Sequence, residues 1–511
     1  MNEDYDVIIV GAGNGGLAAA GYLSANCFKT LNLEKHNLPG GSATSFKRGR
    51  FEFESALHEL CMVGTAENPG PVRKALDEFG TDIDWVIEQN TFRTIIPSEH
   101  IDASFPCGRE NFINKMEEVC PGSRHSVTRC FELCDYINKV LAFMDGPDFN
   151  PKDLITKYSD FFRLAGHTLN EVEKALGMDE RTRNIFNTYW SYQGGDADTV
   201  DFLNFIMMLN GYVTYGAAMP RNRSHELSMA LDKAIRDNGG EIWYNSPVDK
   251  ILVDDNNKAY GVVTDGKEIH AKYIISNVYP DFVYGKMIDS DKVPKKAKKL
   301  TNSRELALQL FTVYLGLDAT LDEIGGLDAY SNFIAPCSNT RKQFEMGRNT
   351  RQYWGYNIVN SLNKVIPDCT PEGTCQLFMT TAFSGNGWDD LKPWEYDNAK
   401  TDVADAMIKD AEEVLGLDIF NHIEEIEIAS PVTFARYLGT PEGTPYGYQI
   451  TPTDGLTLRK VISATENYIG NLYFAGAATD QGDGYSTTYN SGINAAKQII
   501  EKEKQKGEKV K

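Results

Sequence analysis

The sequence predicts an α/β protein, and three observations carry that prediction. Asp6-Val7-Ile8-Ile9-Val10 is a short, β-branched run followed at once by Gly11-Ala12-Gly13-Asn14-Gly15-Gly16, and Leu17–Leu23 continues as a small-residue helix. Residues 241–277 hold three strand-like runs separated by turn residues. Residues 470–497 repeat the order strand, glycine turn, helix. Together they describe a Rossmann-type domain assembled from distant pieces, with a β-meander, an α+β second domain and a helical lid.

The first motif has the context that gives G-x-G-x-x-G its meaning: a strand before it and a helix after it. Gly11 permits the tight turn, Gly13 lets backbone approach a pyrophosphate, and Gly16 lets the helix pack closely on the strand. Phosphates would sit on the free N–H groups and positive dipole end of that helix. Thr30–Glu34 reads as the second strand. Its terminal acid, Glu34, lies about 20 residues beyond the last glycine, where a carboxylate accepts ribose hydroxyls.

A chain of 511 residues accommodates two to four structural units. The formal net charge of −21 repels nucleic acid and anionic lipid. No run of about 18 apolar residues is present, so no membrane-spanning helix is expected. The start, Asn2-Glu3-Asp4, lacks a signal-peptide pattern, and the expected location is cytoplasmic. Nine scattered cysteines fit reduced thiols. Cys120, His125, Cys130 and Cys134 match no tight metal knuckle and read as buried free thiols, so no metal is expected.

Residues from about 72 to 216 read as mostly helical with interleaved aromatics, a core layer or an apolar lid. Phe202–Leu209 is its best cavity wall, because Met207 and Met208 adapt to irregular apolar ligands. A helix from the Met219–Leu227 stretch to Asp237 ends at Asn238-Gly239-Gly240. Val248–Asp254, Lys258–Thr264 and Lys267–Ile275 form the meander, with a hairpin signal at Asp265-Gly266. In the remaining stretch, Leu306–Gly316 and Gln376–Ala382 read as buried strands and Asp402–Leu415 as a helix.

Several blocks then carry a family resemblance. Glu34-Lys35, Pro39-Gly40-Gly41-Ser42, Phe51-Glu52-Phe53-Glu54 with His58, the meander ending Ile274–Asn277, Pro431–Tyr437, and Gly470–Thr479 with Ser491–Ala496 resemble phytoene desaturases, carotenoid cis–trans isomerases and retinol saturases. The resemblance implies FAD in a glutathione-reductase-like (GR2) domain. It implies cofactor contacts from Gly11, Gly13, Asn14, Gly15, Gly16, Glu34, Lys35, Gly40, Gly41, Ser42, His58, Val248, Gly476, Thr479, Gly484 and Thr487. It divides the chain into a discontinuous FAD-binding domain (1–90, 217–300 and 461–505), a helical lid (91–216), a substrate-binding domain (301–460) and a frayed tail (506–511). Serine at 42 fits the isomerase and saturase branches.

The chain also departs from that pattern. Gln481, Asp483, Ser486 and Thr487 make the segment facing the flavin more polar than a carotenoid enzyme needs. Hydrogen transfer across a C–C double bond requires an acid–base partner, and Asp483, Tyr485 and Glu54 are the candidates, in that order. Arg436 is the candidate anchor for a substrate oxyanion or for the flavin environment. The expected activity is saturation, desaturation or isomerisation of a long apolar polyene such as a carotenoid, retinoid or unsaturated fatty acid. Electrons would pass to or from a diffusing partner, since no second nucleotide motif is evident, and membrane contact would be weak and peripheral. A flavin amine oxidase and a non-catalytic isoprenoid carrier of the GDP-dissociation-inhibitor type are the alternatives.

Overall fold

The computed structural model describes residues 4–144, 146, 149–455, 457–459, 468–479 and 482–507. Gln481, the 460/461 domain boundary, Asn2 and Glu3, and the end of the tail at 508–511 lie outside the described residues.

Five parallel strands form the centre of the first sheet. In spatial order they are Glu241–Trp243, Thr30–Leu33, Tyr5–Val10, Lys267–Ser276 and Leu472–Phe474. Val7, Ile8 and Ile9 are completely buried, because such a sheet is covered on both faces. Val7 and Ile9 pack into the core beneath the first helix, Asn14–Ala25, and the closing helix, Tyr485–Gln505. Ile8 and Val10 point to a second core with Ile251, Val262 and Met287.

The meander strands are Val248–Val253, Ala259–Thr264 and Lys267–Ser276. The last is shared. Its first half pairs antiparallel with the middle meander strand, and its second half pairs parallel with Tyr5–Val10. Meander and nucleotide sheet are therefore one continuous surface.

The second sheet runs Ile423–Ala429, Gln309–Leu317, Cys375–Phe383, Asn357–Asn360, Ser331–Ile334, Asn90–Ile96 and Ile101–Pro106. The last two correct the expected organisation, since they fall in the stretch read as helical. Ile101, Ala103 and Phe105 alternate as buried residues along a strand. Asn90–Ile96 joins the sheet by parallel pairing with Ser331–Ile334. The helical layer runs from Arg109 to Tyr215. Within it, Cys120, Cys130 and Cys134 are buried and His125 is exposed. Among the described residues, no helix is long and apolar enough to cross a membrane.

Candidate functional site

The first strand delivers its glycine turn to one end of a cavity of about 840 Å³. Gly11 has φ +91°, which only glycine adopts without strain, and its N–H bonds the Leu33 carbonyl at 2.8 Å. The N–H groups of the first helical turn have no acceptor within the helix and face the cavity rim. Glu34 is buried. One of its carboxylate oxygens accepts the Ala12 N–H at 2.7 Å and the other the His36 N–H at 2.9 Å. Asn14 is buried with a side-chain oxygen that has no partner in the chain. An unpartnered acceptor, free helix N–H groups and a buried acid at one turn fit a dinucleotide. Replacing Glu34 with Ala is expected to weaken cofactor affinity by about 10- to 100-fold, the worth of a charged hydrogen bond. Titration of the apoprotein followed by flavin fluorescence measures it.

The chain's two ends meet at this turn. Gly40 donates its N–H to the Ala12 carbonyl at 2.7 Å. A Cβ on Gly15 would come within 2.7 Å of the Gly476 nitrogen and of the Asn277 side-chain oxygen. Gly476 in turn donates to Ser491 Oγ at 2.7 Å. Asn277, read from sequence only as a strand end, thus stands among Gly11, Gly13, Gly15 and Gly476. The closing helix begins at Tyr485, six residues before the Ser491–Ala496 block. Asp483, Gly484, Tyr485, Ser486 and Thr487 therefore sit at its N-terminus on the cavity wall. Ser486 donates to the Cys61 carbonyl at 3.1 Å, tying this terminus to the chain beyond Glu54.

Beyond that junction the cavity becomes apolar. Met207 and Met208, on the helix Phe202–Tyr215, line it with Tyr192, Gln193 and Tyr212. Asp201 caps that helix, accepting the Leu203 N–H at 2.7 Å. His58 is buried beside Thr380, with Nε2 2.9 Å from its hydroxyl, and its ring stacks on Tyr192. Burial pushes the His58 pKa down to about 4, so the ring is neutral at neutral pH. Burial also pushes Asp483 up to about 7, against the pull of Arg459. Glu59 lines the same apolar end, and burial raises it to about 8. Nothing in the sequence marks Glu59: an acid next to a histidine, five residues beyond the strand Phe51–Glu54, looks like surface until residues 189–192 and 331 are folded over it.

The other anticipated contacts divide by position. Lys35, Gly40, Gly41, Ser42 and Val248 line the cavity. Gly16 is not part of the wall: a side chain there would collide with the Gly11 carbonyl, so its role is the strand–helix packing that the motif assigns to it. Thr479 also stands behind the wall, where its hydroxyl donates to the Gly476 carbonyl at 2.7 Å. Glu54, expected as an acid–base residue, does not line the cavity and so has no place in the chemistry. Its carboxylate accepts backbone N–H groups of Ser224 at 2.7 Å and Leu57 at 3.2 Å, which locks a hairpin to a helix, and burial raises its pKa against those bonds. Tyr485 lines the cavity, but its hydroxyl is spent on the Ser42 carbonyl at 3.1 Å and on Ser224 at 3.2 Å. Arg436 belongs to the dinucleotide end, away from the methionine wall. Its neighbour Tyr437 bonds His36 through its carbonyl at 2.8 Å, and Gly439 stands close to the Lys35 ammonium.

Comparison with known proteins agrees with this geometry. The model of the NAD(P)-binding Rossmann-like domain family matches residues 9–79. All-trans-retinol 13,14-reductase from Danio rerio is 25% identical over 507 residues, covering 93% of this chain and 82% of the reductase. Chloroplastic prolycopene isomerase from Daucus carota is 24% identical over 98% of this chain and 80% of its own. Among solved structures, an oxidoreductase from Methanosarcina mazei superposes with a TM-score of 0.65 at 18% identity, covering 96% of this chain and all of that one. Cyclohexylamine oxidase from Brevibacterium oxydans superposes at 0.60 with 15% identity, covering 98% of this chain and all of its own.

Proposed function

From a chain related over nearly its whole length to retinol 13,14-reductase and prolycopene isomerase, we propose an FAD-dependent oxidoreductase acting on C=C bonds of a long, mostly apolar unsaturated substrate. The observation that carries the reading is the single cavity. One continuous space runs from the glycine turn to a wall of Met207, Met208, Tyr192 and Tyr212, so a dinucleotide and an apolar ligand share it. Bound FAD supplies two-electron exchange with the substrate.

The chain's own residues bind, orient and exclude water. Gly11–Gly15, Asn14 and Glu34 hold the adenosine and phosphates. The closing helix directs its N-terminal dipole at the ring end, where it stabilises negative charge. Asp483, with a pKa near 7, holds a proton at that terminus. The methionines and tyrosines keep a polyene in a dry slot. Electrons come from or go to a diffusing partner.

A second reading has one observation behind it. Tyr192, Tyr212, Tyr279 and Tyr446 all line the cavity, an aromatic lining that would suit an amine, and cyclohexylamine oxidase shares the fold. Anaerobic incubation with unsaturated fatty acids, retinoids, carotenoids and amines separates the readings. The expected result is conversion of a polyene, with product mass giving the direction: two hydrogens gained, two lost, or no change with a new retention time. Bleaching of the oxidised flavin by an amine alone would replace this reading with the second. A chain that takes up no flavin would be a carrier.

A further inference from the structure

We propose that Glu59 is the proton donor for hydrogen addition across the substrate's double bond, and that reduction is therefore the direction in which this enzyme runs. The inference rests on the C=C reading above and deepens it.

Four buried acids lie along or beside the cavity: Glu34, Glu54, Glu59 and Asp483. Asp483 stands at the N-terminus of the closing helix, and hydrogen bonds separate the other three. Glu34 and Glu54 each accept backbone N–H groups, donors that cannot reverse and that suit a carboxylate. Glu59 is bonded by hydroxyls: Tyr192 at 3.2 Å on one oxygen and Ser331 at 2.9 Å on the other. Hydroxyls rotate and accept as readily as they donate. Tyr189 also meets Glu59, but its own O–H is committed to the Thr91 carbonyl, so only an acceptor oxygen remains for the acid. Ser331 already accepts the Asn360 amide N–H at 2.8 Å. A protonated Glu59 can keep both hydroxyl contacts and donate its proton to the Tyr189 oxygen, whose own O–H is spent on Thr91.

Among the described residues, no positive charge is paired with Glu59. Cys61 beside it, Tyr189 and Tyr192 on the turn above, Tyr212 on the methionine helix, Tyr330 next to Ser331, and Cys107 are all neutral at pH 7, and Glu88 is a second acid. The neighbouring His58 is neutral as well. Among the described residues, no ion pair involves Glu59. The acid nonetheless lines the cavity, at the end walled by Met207 and Met208. A neutral acid kept in a dry apolar slot is what proton delivery to an alkene carbon needs.

In the step, the Glu59 O–H bond breaks and a C–H bond forms at one alkene carbon. The neighbouring carbon would take the hydride equivalent that a two-electron-reduced flavin, recharged by the diffusing electron partner, would supply, so that one proton and one hydride add across the bond. The carboxylate left behind recovers a proton from water before the next turnover. Isomerisation needs no net proton and gives no role to such a group. Tyr192 is the positioning residue that holds the carboxyl toward the cavity.

The test uses FAD-loaded full-length protein. Infrared difference spectra between wild type and Glu59→Gln at pH 7 should show a protonated carboxyl C=O band, lost from wild type above about pH 8. With the polyene that wild type converts, Glu59→Gln should keep its flavin spectrum and substrate-induced shift while product formation falls about 100-fold or more. The wild-type rate should fall about tenfold per pH unit above that same value, and products formed in D2O should carry one solvent deuteron. Tyr192→Phe should keep the band, lose about tenfold in rate and shift the alkaline limb. The proposal is overturned by the absence of the band, by a Gln variant that turns over normally, or, should that variant not fold, by a Tyr192→Phe protein whose pH profile is unmoved. Wild type that converts no polyene would count against the C=C reading instead, and the band, read without substrate, would still decide the state of Glu59.

Discussion

An alanine at Gly492 will cost the protein most of its bound dinucleotide. Gly492 lies on the closing helix, against the first helix. A Cβ there would stand well inside van der Waals contact with the Gly15 carbonyl oxygen and 3.0 Å from the Ala19 nitrogen. Both obstacles are backbone, so no side chain can swing aside. The two helices must part, and close-packed interiors do not absorb such a shift. Overpacking of this kind costs about 1–3 kcal/mol. The larger consequence is positional, because the displaced turn is the one whose N–H groups face the phosphates. The expected result is at least a tenfold drop in flavin retained through purification, read from the ratio of visible to ultraviolet absorbance, with a lowered Tm. Gly285→Ala is the control, since its Cβ would meet nothing within 4 Å. Equal flavin in both variants would show that the helix pair has slack and that the glycine is not required.

The protein will lose stability as pH rises from about 5 to 8.5. Several buried acids have folded-state pKa values raised by desolvation, among them Glu59 and Glu173 to about 8, Asp483 to about 7 and Asp201 to about 6. Their ordinary values are 4.5 for Glu and 3.8 for Asp. Between the two values the folded chain holds a proton that the unfolded chain has released. The unfolded state then binds fewer protons, so stability falls with pH, by about 1.4 kcal/mol per unit for each group inside its window. Below about pH 4 the balance reverses. Asp102 and Asp135 are held low by hydrogen bonds from Arg93 and Arg109, and protonating them removes that stabilisation. Urea midpoints should therefore peak near pH 5 and decline toward pH 8.5. Glu173→Gln should flatten the decline and raise the midpoint at pH 8, because one Glu173 oxygen is buried without a partner. A midpoint that climbs through this range would show that these acids are ionised in the folded chain.

The nucleotide half of the molecule was legible because its signals are local. The turn Gly11–Gly16 and its flanking strand and helix are contiguous, and Glu34 is fixed by the length of one helix and one strand. The strands at Asn90–Ile96 and Ile101–Pro106 were not legible, because aromatic interleaving suits either a helix or a strand and because the sheet that this local hairpin extends begins some 240 residues away at Ser331–Ile334. Glu54 was misread for the converse reason. Its place in a recognisable block suggested chemistry, whereas the backbone of Ser224, invisible from that block, has claimed it. Arg436 sits in a recognisable block too, but only the loop at Lys35-His36 shows which end of the cavity it borders.

The parallel sheet has a consequence for biosynthesis. Its outermost strand is Leu472–Phe474, paired with Lys267–Ser276, and the wall facing the glycine turn is completed by the helix Tyr485–Gln505. The glycine turn thus waits for chain made some 460 residues later. A nascent chain halted before residue 470 carries an intact glycine turn and no closed cradle. Cofactor loading therefore follows synthesis of the strand Leu472–Phe474 and the helix Tyr485–Gln505, which no earlier part of the chain replaces.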